Sequence, residues 1–143
     1  MNTIEQILKK ELKLSDDMCS RFLELVETKH LKKKELFVQQ GKVCYSLGII
    51  ESGVLRSYIE KDAVEFIKDF YFPGSIVVSY GSFLTGEPSI GSIQALEETY
   101  LITLSRSSYG QLLQESSEWF KFGKYISDSL LTVSYTHLRA HET

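Results

Sequence analysis

The apolar residues among the first thirty positions recur at helical spacing. They form two stripes, which are Ile4, Ile7, Leu8 and Leu12, and then Met18, Phe22, Leu25 and Val26. A repeat of three to four residues places such side chains on one face of an α-helix. Ser15 precedes the second stripe as a helix cap, and Asp16 and Asp17 suit the positive end of the helix dipole. The pattern therefore predicts two amphipathic N-terminal helices.

From Leu36 to Ser105 the period changes to two residues, which is typical of β-strands. Seven β-rich runs alternate with turn-forming residues: Leu36–Gln39, Tyr45–Ile50, Val54–Ile59, Val64–Phe70, Ile76–Val78, Ser92–Ala95 and Tyr100–Leu104. We interpret the basic run at 29–34, ahead of the first strand, as a solvated loop rather than a surface for DNA or an acidic partner. Helices, then many short strands, then helices predict a mainly β fold, a jelly-roll-like β-barrel with helical flanks.

The helical period returns after Ser105. Tyr109, Leu112 and Leu113 predict a short helix, and a further helix follows over residues 118–130. The apolar face of this last helix consists of Trp119, Phe122, Ile126 and Leu130. We predict that this face is a dimerisation seam. Packing of the same side chains on the chain's own β-roll is the alternative, and the sequence leaves both open.

The composition fits one ordinary domain of 143 residues, with 43% hydrophobic and 24% charged residues. No apolar run reaches the roughly 18 residues that a transmembrane helix needs, so we expect no membrane partner. The N-terminus lacks a secretory signal pattern, so we expect a cytoplasmic protein. The net charge of −3 argues against a chain that binds nucleic acid by itself.

The last eleven residues, 133–143, resemble a translated sequencing-library adapter of the transposon-end type. We interpret them as a non-native tail and exclude them from the predicted fold. The two histidines of this tail, His137 and His141, are excluded as metal ligands with it. The same interpretation implies that the natural gene continues beyond residue 132.

Few residues remain for metal or redox chemistry once this tail is set aside. His30 is then the only histidine, so a cupin-type metal site and a Ser-His-Asp hydrolase site both lack their residues. Two cysteines, Cys19 and Cys44, are too few for an iron–sulfur cluster or a disulfide framework. We therefore expect no catalytic residues, no metal and no cofactor.

A family resemblance runs through residues 31–98 and extends over nearly all of residues 5–130. Its features, in order, are a turn at Gly41, Ile-Glu-Ser-Gly-Val-Leu-Arg at 50–56, Phe-Pro-Gly at 72–74, Ser-Phe-Leu-Thr-Gly-Glu-Pro-Ser at 82–89, and Gln-Ala-Leu-Glu at 94–97. In this order and spacing they resemble the sensor domain of the Crp/Fnr family of bacterial transcription regulators, which has the cyclic-nucleotide-binding fold. The last two strings are most similar to its divergent Bacteroidetes-type members.

The resemblance implies a domain order. Residues 1–114 are expected to form an effector-sensing β-roll with N-terminal helices, and residues 115–132 to begin the family's long dimerisation helix, ahead of the tail at 133–143. In the family a helix-turn-helix follows, so we expect a truncated regulator that forms a homodimer and reaches DNA only through a missing C-terminal domain. A stand-alone β-roll that binds a small molecule or a protein is the alternative.

The family's phosphate-binding cassette begins Gly-Glu-apolar and ends Arg-Ser/Thr-Ala. Its glutamate holds the ribose hydroxyl, and its arginine holds the cyclic phosphate. Laid without gaps on residues 78–91, the cassette has Ser79 at the glutamate, Ser89 at the arginine and Ile90 after it. The resemblance therefore implies a degenerate effector pocket that does not bind cAMP or cGMP, made of Ser79, Tyr80, Gly81, Ser82, Phe83, Ser89 and Ile90. This pocket either holds another small effector or is filled by Tyr80 and Phe83.

Overall fold

The N-terminal helices form as the apolar stripes predict. The computed structural model describes residues 3–130, in which α1 (Thr3–Glu5) runs into a π-helical segment (Gln6–Glu11) and α2 (Asp16–Leu25) follows. The Ser15 hydroxyl accepts a hydrogen bond of 3.2 Å from the Met18 N–H, so the predicted cap of α2 is confirmed. The stripes turn inward and bury Ile4, Ile7, Leu8 and Phe22.

Eight strands follow these helices. They are β1 (Glu27–Leu31), β2 (Leu36–Val38), β3 (Ser46–Ser52), β4 (Leu55–Lys61), β5 (Val64–Tyr71), β6 (Ile76–Val77), β7 (Ser92–Ala95) and β8 (Thr99–Ser105). The seven predicted strands are confirmed as β2 to β8, and β1 was missed. Because β1 is an edge strand with four consecutive exposed residues, it shows no apolar alternation, and the prediction of a loop at 29–31 was wrong.

The strands pair as nested antiparallel pairs around the hairpin of β4 and β5. β4 pairs with β5, β3 with β6, β2 with β7 and β1 with β8, all antiparallel. Further pairs, β3 with β8 and β4 with β7, join these strands into two four-stranded sheets of order β1-β8-β3-β6 and β2-β7-β4-β5. This connectivity is the jelly-roll, as predicted, although within residues 3–130 the sheets stay separate instead of closing into one barrel.

The hairpin of β4 and β5 contains an irregularity that matters for the site. Its turn residues, Asp62 and Ala63, both have positive φ, which is the backbone of a two-residue hairpin turn. The pairing then shifts by one residue, because Ser57 opposes Asp69 while Tyr58 opposes Ile67. The bulge inverts the expected alternation, so that Asp69 is buried although most of β5 is exposed.

Three more helices complete the domain. They are α3 (Tyr80–Thr85), between β6 and β7, α4 (Arg106–Glu115), after β8, and α5 over residues 120–130, preceded by a 3₁₀ turn (Ser117–Trp119). The predicted helices after Ser105 are thus confirmed. No helix within residues 3–130 combines the length and apolar character needed to cross a membrane. The adapter-like tail at 133–143 lies outside the described residues.

The predicted dimerisation face belongs mostly to the interior of the monomer. Trp119, Phe122 and Ile126 are buried in the same core as the sheets. The ring of Phe22 on α2 stacks on Trp119 at 5.8 Å and meets the edge of Phe122 at 5.3 Å. In the structure these three side chains pack on the chain's own domain, which was the alternative to a dimer seam. Leu130 is half-buried.

Candidate functional site

A cavity of about 480 Å³ lies between the sheet that contains β4 and the segment from Ser79 to Gly91. Leu130 of α5 also contributes to its lining. The cavity contains six of the seven pocket residues predicted from the sequence, namely Ser79, Tyr80, Gly81, Ser82, Ser89 and Ile90. A volume in this range is typical of small-molecule sites.

Phe83, the seventh predicted pocket residue, does not line the cavity. Its ring is buried in the core, with its centroid 5.5 Å from that of Tyr109 on α4. Tyr80 lines the cavity, but its hydroxyl donates a hydrogen bond of 3.3 Å to the Gly123 carbonyl on α5. The cavity is therefore open in the structure, and the alternative in which Tyr80 and Phe83 fill it is not observed, because both rings have partners elsewhere.

The backbone around Ser89 is held in place by the turn between β2 and β3. The Ser89 N–H donates to the Lys42 carbonyl at 2.7 Å, and the Gly41 N–H donates to the Ser89 carbonyl at 2.8 Å. An antiparallel bridge between Val43 and Pro88 continues this pairing. The predicted turn at Gly41 thus supports the wall of the cavity.

Ser79 and Ser89 stand where the resemblance places the family's glutamate and arginine, and their side chains are in contact. The hydroxyl oxygens of Ser79 and Ser89 lie 2.7 Å apart. The Ser89 hydroxyl also donates to the Gly91 carbonyl at 2.7 Å, and because a serine has a single hydroxyl proton, Ser79 is the donor to Ser89. The pair is neutral, and it uses both protons within the protein.

Ser82 has a structural role in the cavity wall. Its buried hydroxyl accepts a hydrogen bond of 2.8 Å from the Cys44 N–H and donates to the Glu87 carbonyl.

Ile90 is 77% exposed, so it forms part of the rim. Of the predicted residues, Ser79, Tyr80 and Ser89, which are buried or half-buried, are thus left to form the inner wall on this side.

The sheet side of the cavity contains polar residues that the sequence reasoning missed. Ser57 on β4 and Asp69 on β5 are buried cross-strand partners, and Tyr71 lies next to them in the lining. Burial raises the pKa of the Tyr71 phenol, the Ser57 hydroxyl opposes this rise, and the negative charge of Asp69 adds to it. The sequence pattern did not report these residues, because most of β5 is exposed and the register shift between Ile67 and Asp69 breaks the alternation along the strand.

A pair of tyrosines joins the cavity to α5. Tyr109 on α4 lies beside Tyr80, and both hydroxyls approach the backbone of Gly123. Burial, with a contribution from the neighbouring Tyr80, raises the pKa of Tyr109 to about 12. A Cβ atom at Gly123 would lie 2.6 Å from the Tyr109 hydroxyl, so this close approach requires glycine.

No group of three or more His, Cys, Asp or Glu side chains that could hold a metal exists within the described residues. Cys19 and Cys44 are buried free thiols, and burial raises the pKa of each. His30 pairs with Glu98 at 2.7 Å on the surface and stacks on Tyr100.

A comparison of the sequence with known protein families agrees with the mainly β fold. The sequence profile of the family described as cyclic nucleotide-binding domain matches residues 28–116. No curated protein matches the chain in sequence.

Solved structures share the fold at low sequence identity. The sensor domain of the transcriptional regulator DNR from Pseudomonas aeruginosa gives a TM-score of 0.70 at 19% identity, covering 98% of this chain and 93% of that one. The catabolite activator protein of Thermus thermophilus gives 0.66 at 19% identity, with coverages of 90% and 57%. The regulatory subunit of a cAMP-independent protein kinase A from Trypanosoma brucei gives 0.71 at 15% identity, with coverages of 99% and 51%. The chain spans about two fifths to one half of the kinase regulatory chains that it matches.

Proposed function

The chain belongs to the cyclic nucleotide-binding domain family, and from this premise we propose that it is the effector-sensing domain of a Crp/Fnr-type transcription regulator. The superposition on the sensor domain of DNR supports the proposal, because it includes nearly the whole of both chains. The role is regulatory rather than catalytic, and it belongs to the cytoplasm, where transcription is controlled.

The observation that carries the proposal is the direct contact between the cavity and α5. Tyr80 lines the cavity and donates its hydrogen bond to the Gly123 carbonyl, and Leu130 of the same helix also borders the cavity. An effector that displaces α3 breaks or strengthens this contact, and so changes the preferred position of α5. If the domain binds the effector more tightly with α5 in one position than in another, the effector shifts the population towards that position.

The effector in this proposal is not cAMP. A cyclic phosphate needs a cation, and the neutral Ser79–Ser89 pair stands where the family resemblance implies glutamate and arginine. Removing one partner of a buried charged hydrogen-bonded pair costs about 2–5 kcal/mol, which is enough to abolish binding at cellular concentrations. The Trypanosoma brucei neighbour is an example of this fold in a protein described as cAMP-independent.

We further propose that the parent protein is a homodimer. The buried side chains Trp119, Phe122 and Ile126 are not available as its interface. Its interface is therefore expected at other side chains. Sedimentation of the parent protein tests the dimer, and a monomer would overturn it.

Calorimetric titration of the chain with cAMP tests the exclusion of this nucleotide. We expect no binding heat, and binding of cAMP in the micromolar range would overturn its exclusion as the effector. Resequencing the gene beyond codon 132 separates the regulator from the alternative, a stand-alone interaction module. An open frame that continues into a helix-turn-helix supports the regulator, whereas a stop codon at this point favours the module.

A further inference from the structure

The side-chain hydroxyls in the wall segment from Ser79 to Gly91 all spend their protons inside the protein. They donate as follows: Ser79 to the Ser89 hydroxyl, Tyr80 to the Gly123 carbonyl, Ser82 to the Glu87 carbonyl, Thr85 to the Gly81 carbonyl and Ser89 to the Gly91 carbonyl. A hydroxyl that has donated its proton keeps lone pairs that accept. The hydroxyls of this wall can therefore accept a hydrogen bond from a ligand but have no proton left to donate to one.

Ser79 is the hydroxyl of this wall that a ligand can use. The oxygens of Ser82 and Ser89 already accept hydrogen bonds within the protein, and Thr85 is exposed and also accepts one. Tyr80 is turned towards α5 by its own hydrogen bond. Ser79 lines the cavity and is half-buried, and its Oγ accepts no hydrogen bond from the residues that the structure describes. A ligand that donates one hydrogen bond matches this atom.

The charged groups of the lining give a ligand ion no uncommitted partner. Lys68 and Glu87 are exposed, so water and salt screen them. Asp69 is buried and already interacts within the protein. No arginine of residues 3–130 lines the cavity. An ionic ligand would lose part of its hydration here without gaining a free counterion, and this loss is costly.

The rest of the inner lining is largely aliphatic. It includes Ile59 on β4, Val78 after β6, Ile93 on β7 and Leu130 on α5. An apolar lining with a few placed polar groups is typical of small-molecule sites, and 480 Å³ lies within their usual range of volume. The body of a fitting ligand is therefore apolar.

Building on the sensor function proposed above, we propose that the effector is an uncharged molecule with an apolar body and a hydroxyl group, such as an aromatic alcohol. Its hydroxyl donates a hydrogen bond to the Ser79 Oγ, and its body packs against the aliphatic lining. Tyr80 and Leu130 belong to the same lining, so this molecule also lies beside the groups through which the cavity contacts α5.

Four probes with one phenylpropyl body test this class of ligand. 3-Phenylpropan-1-ol is uncharged and has a donor, and its methyl ether has none. 3-Phenylpropan-1-amine is a cation at neutral pH, and 3-phenylpropanoate is an anion. We expect calorimetry and ligand-detected NMR to show binding of the alcohol to the whole chain, with both ions weaker by about tenfold or more and the ether weaker by about threefold or more. Absence of alcohol binding, or an ion or ether that binds as tightly as the alcohol, would overturn the proposal.

Two isoleucines of the lining provide a matched pair of variants that locate the alcohol. Ile93 is 3% exposed and Ile90 is 77% exposed. Ile93→Phe places a larger side chain in the cavity and should weaken alcohol binding by about tenfold or more, whereas Ile90→Phe at the rim should leave it within about twofold. Circular dichroism checks that both variants are folded. Equal affinities in two folded variants would overturn the location.

Nuclear Overhauser effects in the unmodified chain give the same answer without a variant. We expect contacts between the ring protons of the alcohol and the methyl groups of Val78 and Ile93, and contacts confined to other residues would overturn the site. Failure of the alcohol to bind would overturn the ligand class alone. The sensor function is tested separately, by the sequence that follows codon 132.

Discussion

The hydroxyl oxygens of Ser79 and Ser89 lie 2.7 Å apart, across the two ends of the segment that forms the cavity wall. Ser79 precedes α3, and its side chain makes no cap hydrogen bond to this helix but donates its proton to Ser89. Ser89 in turn is fixed through its own backbone to Gly41 and Lys42. The two ends of this segment are thus joined by a neutral pair whose backbone is held in place.

Charged residues at these two positions should restore affinity for cAMP. In Ser79→Glu/Ser89→Arg the arginine meets the phosphate and the glutamate meets the ribose hydroxyl, within a backbone that is already held by the β2–β3 turn. We expect binding at least about tenfold tighter than in the unmodified chain, measured by calorimetry. Ser79→Gln/Ser89→Gln is the uncharged control and should not gain affinity. A double charged variant that remains inert would show that Ile90 or the sheet wall, rather than the missing charges, excludes the nucleotide.

Much of the fold was predictable because most elements have an unambiguous apolar period. The strands from β2 to β8 are rich in apolar and β-branched residues between turn signals, and they were found within two residues of their observed ends. β1 was missed because an edge strand made of Glu27, Thr28, Lys29 and His30 buries nothing and has no apolar period. Its position depends on pairing with β8, which is a tertiary contact.

The site was predictable only on the side that the family resemblance described. The positions of Ser79 and Ser89 followed from the spacing of the cassette, although their hydrogen bond did not. Ser57 and Asp69 come together through a bulge in the pairing of two strands, and no local pattern reports such a shift. The apolar stripe of α5 was found, but periodicity alone does not say whether such a face packs on its own domain or on another chain.

Gly123→Ala should destabilise the domain. The new methyl group would lie 2.6 Å from the Tyr109 hydroxyl, and overpacking of this kind costs about 1–3 kcal/mol, more than the helix propensity that alanine adds. We expect urea denaturation to give a free energy of unfolding that is lower by about 1 kcal/mol. Gly110→Ala is the control in α4, where nothing lies within 4 Å of the new Cβ, and it should stabilise the domain slightly.

Tyr109→Phe should rescue Gly123→Ala, because it removes the oxygen atom that the methyl group meets. In a double-mutant cycle we expect the cost of Gly123→Ala to fall by at least about half in the phenylalanine background. Equal costs in both backgrounds would mean that the requirement for glycine at position 123 comes from Tyr80 or from the helix itself.

Stability should fall at alkaline pH in a way that depends on Tyr109. Folding raises the pKa of this phenol from 10 to about 12, because burial disfavours the phenolate. The corresponding stability is fully present below pH 10 and is lost as the pH rises towards 12. We expect the free energy of unfolding to decline less steeply over this range in Tyr109→Phe, as measured by urea denaturation at each pH. Parallel curves for the two proteins would contradict this role, since the other groups whose pKa is raised, such as Cys44 and Tyr71, would then account for the alkaline loss.

A charge at Ile126 should unfold the domain instead of separating a dimer. Ile126 is completely buried with Phe122 and Trp119, so Ile126→Asp creates a cavity and buries a carboxylate without a designed partner. Changes of this kind cost about 4 kcal/mol or more, a large part of the stability of a domain of this size. Phe120→Asp, one helical turn and a half earlier on the exposed side of α5, should change the stability by no more than about 0.5 kcal/mol.

Circular dichroism and sedimentation together distinguish the two roles of this helix. If Ile126 has the core position that the structure gives it, Ile126→Asp loses its β-sheet signal and its cooperative melting transition, while Phe120→Asp retains both. A folded, purely monomeric Ile126→Asp variant of a dimeric parent protein would instead return Ile126 to the dimer interface. That outcome would require α5 to move away from Phe22 and Trp119 when the dimer forms. The hydrogen bond from Tyr80 to Gly123 would then be broken in the dimer.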